Sequence, residues 1–177
     1  MKRTVVITGM GVAAPNGHGL DAFERALREG RSGIRFIPQL QELNFGCQIG
    51  GVPQNFEEVR KSYFDFEKLM SINDNIGFVS VSAVDAWKDA GFDLIDGDGP
   101  VDWDTGAILG CGIGGMDTIA EKVVPMVKDG KVRRMGSRIV EQVMNSGTSA
   151  RVGGLLGLGN QVTSNSAACS TGTEAIA

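Results

Sequence analysis

Apolar positions along the chain alternate between two periods. Residues 4–7 are a β-branched run, Thr-Val-Val-Ile, and predict a strand that enters the glycine-rich segment 9–14. A helix is predicted from about Leu20 or Asp21, with Phe23 and Leu27 on one face and Gly30 near its end. Residues 31–62 mix Gly, Pro, Gln and scattered aromatics without a sustained period, which predicts an irregular excursion of functional length. From Ser71 the pattern turns helical. Ser71 and Asp74 suit a capping box, and Ile72, Ile76, Val79, Ala83, Ala86 and Ala90 keep one apolar stripe until Gly91 closes it.

An acidic turn region over 93–104 leads into residues 105–110, Thr-Gly-Ala-Ile-Leu-Gly. This uncharged run predicts a strand buried on both faces. The tight loop 111–115 follows, then a helix from about Asp117 to Lys128. Residues 137–156 are helical in outline and break around Asn145, Ser146 and Gly147. Their small residues (Gly147, Ala150, Gly153, Gly154) allow close packing, and Gly157 ends the segment. Residues 162–166 predict a short strand, after which 167–169 turn sharply into the first turns of a helix. No repeat, low-complexity tract or internal boundary interrupts the 177 residues, which read as one unit. Strands followed by helices, with uncharged central strands, indicate a layered α/β fold.

Composition narrows the function classes. Hydrophobic residues at 42% and charged residues at 21% describe an ordinary globular protein, and a net charge of -4 argues against a general nucleic-acid partner. No window approaches a membrane span, and the short apolar run after Met1-Lys-Arg breaks at Gly9, unlike a signal peptide. Cys47, Cys111 and Cys169 are odd in number and unclustered, with one His in the chain. That set fits neither a disulfide framework nor a zinc site and points to a reducing, cytoplasmic setting. No cofactor or metal is called for. The segment Gly9-Met-Gly11-Val-Ala-Ala14 matches a dinucleotide fingerprint, but Pro15-Asn16-Gly17 interrupts the helix that would carry the pyrophosphate, so nucleotide binding is not expected. His18, in the same loop, reads as a surface histidine rather than a catalyst.

The chemistry concentrates at Cys169. A cysteine on a strand-to-helix turn sits among unpaired backbone amides that favour negative charge, and the same amides can hold the oxyanion of an attacked thioester. Small residues on both sides leave room around the sulfur. Lys128, Lys131, Arg133 and Arg134 form a basic patch in an acidic chain, which read alone is a solvated face.

Three segments in order carry a resemblance. Thr4-Val-Val-Ile-Thr-Gly-Met-Gly11, Gly110-Cys-Gly-Ile-Gly-Gly115 and Ser166-Ala-Ala-Cys-Ser-Thr-Gly172 resemble the β-ketoacyl-[acyl carrier protein] synthases, the condensing enzymes of fatty acid and polyketide synthesis. The resemblance implies the N-terminal half of the thiolase-like α-β-α-β-α fold. It also implies decarboxylative Claisen condensation, with Cys169 as the acylated nucleophile. Ile113 and Ala168 would lie beside the acyl pocket; on the bare sequence Ile113 reads equally as a core residue, and Cys111 as structural. The basic segment would help dock an acyl carrier protein, with Arg133, Arg134 and Lys68 carried over. Strand 162–166 would pair across a two-fold axis in a homodimer.

The family's two histidines, its lysine and a second oxyanion amide come from a C-terminal half. That half is absent, since the chain runs eight residues past Cys169 and no His follows His18. The 177 residues alone are therefore expected to be inactive. Two other readings stay open at this point: a non-catalytic scaffold half that contributes a dimer surface and carrier docking, and a thiolase-type relative acting on coenzyme A thioesters.

Overall fold

A computed structural model describes residues 4–95 and 99–177. Where the sequence shows no internal boundary, the structure gathers into two compact units, residues 1–60 with 81–92 and residues 61–80 with 93–177. Residues 96–98 of the predicted acidic turn lie outside the described residues.

The first unit opens with a correction. The predicted strand 4–7 pairs with no described residue, and Val5, Val6 and Ile7 are exposed. β-branching suits a residue to a pleated sheet, but a strand forms only where another edge supplies its hydrogen bonds. The glycines that follow have a packing role. A Cβ on Gly11 would lie 1.9 Å from the Ser82 carbonyl oxygen and one on Gly9 2.3 Å from that of Ala86, so backbone meets helix backbone here. β1 (Ala13–Ala14) and β2 (Gly17–His18) then form a short antiparallel hairpin. The hairpin stands where a phosphate-binding helix would have begun. His18 is half-buried, with Nε2 3.9 Å from Asp85 Oδ2. Helix α1 (Leu20–Arg28) follows as expected, and Gly30 leaves it at φ +63°. Its buried residue is Ala26, while the expected Leu27 is exposed.

The excursion expected to be irregular contains regular pieces: β3 (Ile34–Phe36), α2 (Pro38–Glu42), β4 (Ile49–Gly51) and α3 (Phe56–Tyr63). β3 and β4 pair antiparallel, Ile34 opposite Gly51 and Phe36 opposite Ile49. Their three-residue length hides them from any periodicity.

Helix α4 (Phe66–Ser71) is capped by Asp65, whose carboxylate accepts from the Lys68 N–H at 2.8 Å. That bond is the main reason the Asp65 carboxyl is held below its ordinary range. Helix α5 (Asp74–Asp89) corrects the expected start: Ser71 ends α4, and Asn73 caps α5 by accepting from the Ile76 N–H at 3.0 Å. Its fully hidden side includes Ile76, Ser80, Val81 and Val84. The stripe is rotated from the predicted one because a small polar residue, Ser80, packs as closely as an aliphatic one. Gly91 closes the helix at φ +83°.

In the second unit β5 (Ala107–Gly110) and β6 (Val162–Asn165) run parallel, with Ala107 opposite Val162 and Gly110 opposite Asn165. β5 is not buried on both faces: Ile108 is 52% exposed. The helical stretch after the loop has three parts: α6 (Met116–Thr118), a π-helical turn (Ile119–Val123) and α7 (Val124–Lys128). The wide turn falls just ahead of Pro125, which has no N–H to continue an α-ladder. A 3₁₀ turn (Val132–Arg134) precedes α8 (Arg138–Val143). The break expected around residues 145–147 falls at 144–145, between α8 and α9 (Ser146–Leu156), so Ser146 and Gly147 lie inside α9. Buried Val152 and Leu156 lie on α9, and a Cβ on Gly153 would press on the Val162 side chain at 3.0 Å. Gly157, at φ +63°, ends α9 as expected.

Candidate functional site

Parallel pairing places the ends of β5 and β6 side by side, so the loops that leave them share one end of the sheet. That is where open α/β sheets carry their sites. The Cys111 N–H donates to the Asn165 carbonyl at 3.0 Å, which extends the ladder beyond the strands. The Ser166 hydroxyl donates to the Gly112 carbonyl at 3.2 Å and ties the two loops together. Gly110 is required here, because a Cβ would lie 2.7 Å from Thr171.

Cys169 sits in the middle of a 3₁₀ turn (Ala168–Ser170), which leads into α10 (Thr171–Glu174). The sharp turn of the sequence reading is present, though the α-helix begins one residue later than expected. Ala168 takes φ +49°, a left-handed conformation that costs an L-residue about 1–2 kcal/mol. Thr171 holds it there. Its buried hydroxyl accepts from the Ala167 N–H at 2.8 Å and donates to the Ala168 carbonyl at 2.6 Å. Asn165 Nδ2 donates to the Thr171 carbonyl at 3.1 Å, joining the turn to the end of β6. The Cys169 thiol is free and exposed, so a thioester can reach it without unfolding the turn.

Beneath this end lies a polar layer that the sequence reading missed. Ser164 Oγ donates to Ser149 Oγ at 2.8 Å and lies 3.3 Å from Thr148 Oγ1. Thr148 and Ser149 are buried on α9, and each hydroxyl donates back into its own helix, Thr148 to the Asn145 carbonyl. Cys111 is free and buried, as a structural cysteine should be; its sulfur accepts from Asn75 Nδ2 at 3.2 Å. Buried Asn73 joins α5 to two further elements through the Thr118 hydroxyl (3.3 Å) and the Gln142 carbonyl (2.8 Å). Apolar periodicity passes over such residues. The signal available was the run of small polar residues in α9 beside an equally small strand.

The expected site residues fall into two groups. Cys169, Ala168 and the loop carrying Ile113 meet at the shared sheet end. Ala168 is exposed, and Ile113 is 75% exposed between two glycines. The cations stand elsewhere. Arg133 and Arg134 are exposed on the 3₁₀ turn, while Lys68 on α4 pairs with Asp65 at 3.2 Å. Lys131 pairs with Asp129 at 2.7 Å, which reduces the patch locally. A cavity of about 550 Å³ opens beside α9, with Lys68, Ser71, Met144, Ala150, Arg151 and Gly154 in its wall. Neither Cys169 nor Ile113 lines it. Among the described residues no cluster of His, Cys, Asp and Glu converges to hold a metal, and no helix is long and apolar enough to cross a membrane.

Ketosynthases are among the solved structures with this arrangement of elements. A beta-ketoacyl synthase from Burkholderia phymatum aligns with a TM-score of 0.77 and 25% identity, over 97% of this chain and 41% of that one. A type II polyketide ketosynthase, in complex with its acyl-carrier protein and bound to the hexaketide, aligns with a TM-score of 0.74 and 21% identity, over 97% and 40%. The thiolase-like α/β fold expected from the motifs is therefore the fold of this chain.

The chain belongs to the beta-ketoacyl synthase family and matches its N-terminal domain over residues 2–177. It is 27% identical over 175 residues to a 3-oxoacyl-[acyl-carrier-protein] synthase 2 from Vibrio harveyi, covering 99% of this chain and 41% of that protein. The chain spans between 28% and 42% of the length of such relatives.

Proposed function

We propose that the complete protein is a 3-oxoacyl-[acyl carrier protein] synthase that lengthens acyl chains in fatty acid or polyketide synthesis. The observation that carries this is the presentation of Cys169: an exposed thiol at the carboxyl end of paired parallel strands, on a turn held left-handed at Ala168 by Thr171. In this reading the Cys169 thiolate attacks the carbonyl of an acyl-carrier thioester. A carbon–sulfur bond forms to the enzyme, and the carrier leaves as its thiol with the displaced proton. A malonyl-carrier thioester then loses carbon dioxide. The electron pair left on carbon attacks the acyl-enzyme carbonyl, a carbon–carbon bond forms, and Cys169 departs from the 3-ketoacyl product. The histidines, the lysine and the second oxyanion amide for decarboxylation come from outside residues 1–177. These residues alone supply the nucleophile and part of the acyl pocket, but not turnover.

Ile113 and Ala168 border the acyl chain. Arg133 and Arg134, with Lys68 at a distance from them in sequence, dock the acidic carrier. The carrier-bound polyketide ketosynthase of the same fold supports that partner. The protein acts as a homodimer through the edge of β6 that pairs with no described strand, in the cytoplasm, where its exposed thiol stays reduced.

The test supplies the complete protein with an acyl-carrier and a malonyl-carrier thioester and follows carbon dioxide release and the 3-ketoacyl product. Product formed from both carrier thioesters supports the reading. Acylation by coenzyme A thioesters alone, without decarboxylation, would move the protein to the thiolase type.

A further inference from the structure

Ile113 is a large apolar residue held out into solvent, yet the backbone on either side of it, at Cys111 and Gly114, is hydrogen-bonded to a side chain from another element. Cys111 is 4% exposed, Gly114 and Gly115 are buried, and Ile113 between them is 75% exposed. Such a contrast needs a specific holder, and one residue supplies most of it. Asn145 stands at the break between α8 and α9 and reaches back more than thirty residues to the loop. Its Oδ1 accepts from the Gly114 N–H at 3.0 Å and faces the Cys111 thiol at 3.7 Å. Its Nδ2 donates to the Cys111 carbonyl at 3.3 Å. Asn75 approaches from α5, donating to Cys111 Sγ at 3.2 Å.

Gly114 shows how closely this clamp fits. A Cβ there would lie 3.1 Å from Asn145 Oδ1, 3.2 Å from Asn75 Nδ2 and 3.4 Å from Cys111 Sγ. One residue further on, Gly115 takes φ +69° with no room for a side chain, its Cβ position being 2.5 Å from the Gln142 carbonyl oxygen. The loop is thus bonded on both sides of Ile113 to a single amide side chain, and closed off at its far end by backbone.

The same asparagine reaches the other half of the sheet end through Thr148. The Asn145 carbonyl accepts from Thr148 Oγ1, and Thr148 Oγ1 lies 3.3 Å from Ser164 Oγ on β6, the strand that leads to Cys169. The loop with Ile113 and the strand with the nucleophile are therefore referenced to one residue. We infer that Asn145 is a positioning residue that fixes the height of Ile113 relative to Cys169, and so sets which acyl chain lengths the thiol accepts. The inference rests on the proposed acyl transfer to Cys169. Asn145 itself touches no substrate in this account; it acts through the loop.

Two readouts separate the clamp from the chemistry. Amide hydrogen exchange over residues 111–115 reports the clamp whether or not the protein is acylated. The ratio of Cys169 acylation rates with a long and a short saturated acyl-carrier thioester reports the gate. Asn145→Ala removes both bonds and should raise exchange of the Gly114 amide about fivefold to tenfold, the amount expected when a buried hydrogen bond is lost. It should change the long-to-short ratio by about fivefold or more. Asn145→Asp keeps the acceptor for the Gly114 N–H but loses the donor to the Cys111 carbonyl, so it should recover protection of the Gly114 amide in part and leave the ratio changed. Gly114→Ala presses on the clamp from the loop side and must shift the ratio in the same sense, which keeps the test open if Asn145→Ala does not fold. Unchanged exchange in Asn145→Ala overturns the clamp. Faster exchange with an unchanged ratio overturns the gating role, and wild-type protein that never acylates removes it together with the proposed function.

Discussion

The Thr171 hydroxyl donates to the Ala168 carbonyl at 2.6 Å while accepting from the N–H of Ala167, so one buried side chain closes the turn that presents Cys169. Thr171→Val keeps the shape and loses both bonds. Each buried group left without its partner costs about 1–3 kcal/mol, and the left-handed Ala168 loses its restraint. The variant should melt earlier and acylate more slowly, whereas Thr171→Ser should retain most of both properties. A valine variant that acylates at the wild-type rate would contradict the role given to this hydroxyl.

Gly11 tests the first unit. Its Cβ position lies 1.9 Å from the Ser82 carbonyl oxygen, a contact that only separation of the segment from α5 could relieve. Gly11→Ala should therefore cost stability of about 1–3 kcal/mol, typical of overpacking. Gly30→Ala, in open space at φ +63°, meets only backbone strain and should cost less. Denaturant midpoints for the two variants decide the order.

How far the sequence reached is visible in two helix-ending glycines and in the turn at Cys169. The turn that carries Cys169 could be read because small residues run through it on both sides, and Gly91 and Gly157 end their helices where the pattern predicts. What failed depended on partners. Residues 4–7 have strand-like side chains but no described edge to join. Ser71 has the residue type of a cap, but Asn73, two residues on, caps α5 by accepting from the Ile76 N–H, and the Asp74 N–H donates to Asp117 instead. Asn145, Thr148 and Thr171 matter through bonds to other segments or to a turn whose conformation no propensity specifies.

The cationic turn makes a separable prediction. Arg133 and Arg134 are exposed on the 3₁₀ turn, and rim charges chiefly set association rate and its salt dependence. Arg133→Glu with Arg134→Glu should weaken carrier association about tenfold or more at low salt, yet leave acylation by a small uncharged thioester nearly unchanged. An equal loss with both donors would indicate misfolding instead.

Dimerisation is tested on the outward residue of β6. Ser164 is bonded inward to Thr148 and Ser149, so Ser164→Glu would disturb the packing of α9 as well as any interface. Thr163 is exposed on the same strand and gives the cleaner variant. Thr163→Glu should shift the complete protein from dimer to monomer in light scattering while leaving its circular dichroism spectrum unchanged. An unchanged dimer would place the interface on another surface.

The most direct measurement is the intact mass of the complete protein after incubation with an acyl-carrier thioester, followed by peptide mapping. The account predicts a mass increase of one acyl group, located on the peptide containing Cys169. The adduct should be absent from Cys169→Ala and present in Cys47→Ala and Cys111→Ala. An acyl adduct that persists in Cys169→Ala, or that maps to another residue in the wild type, would contradict it.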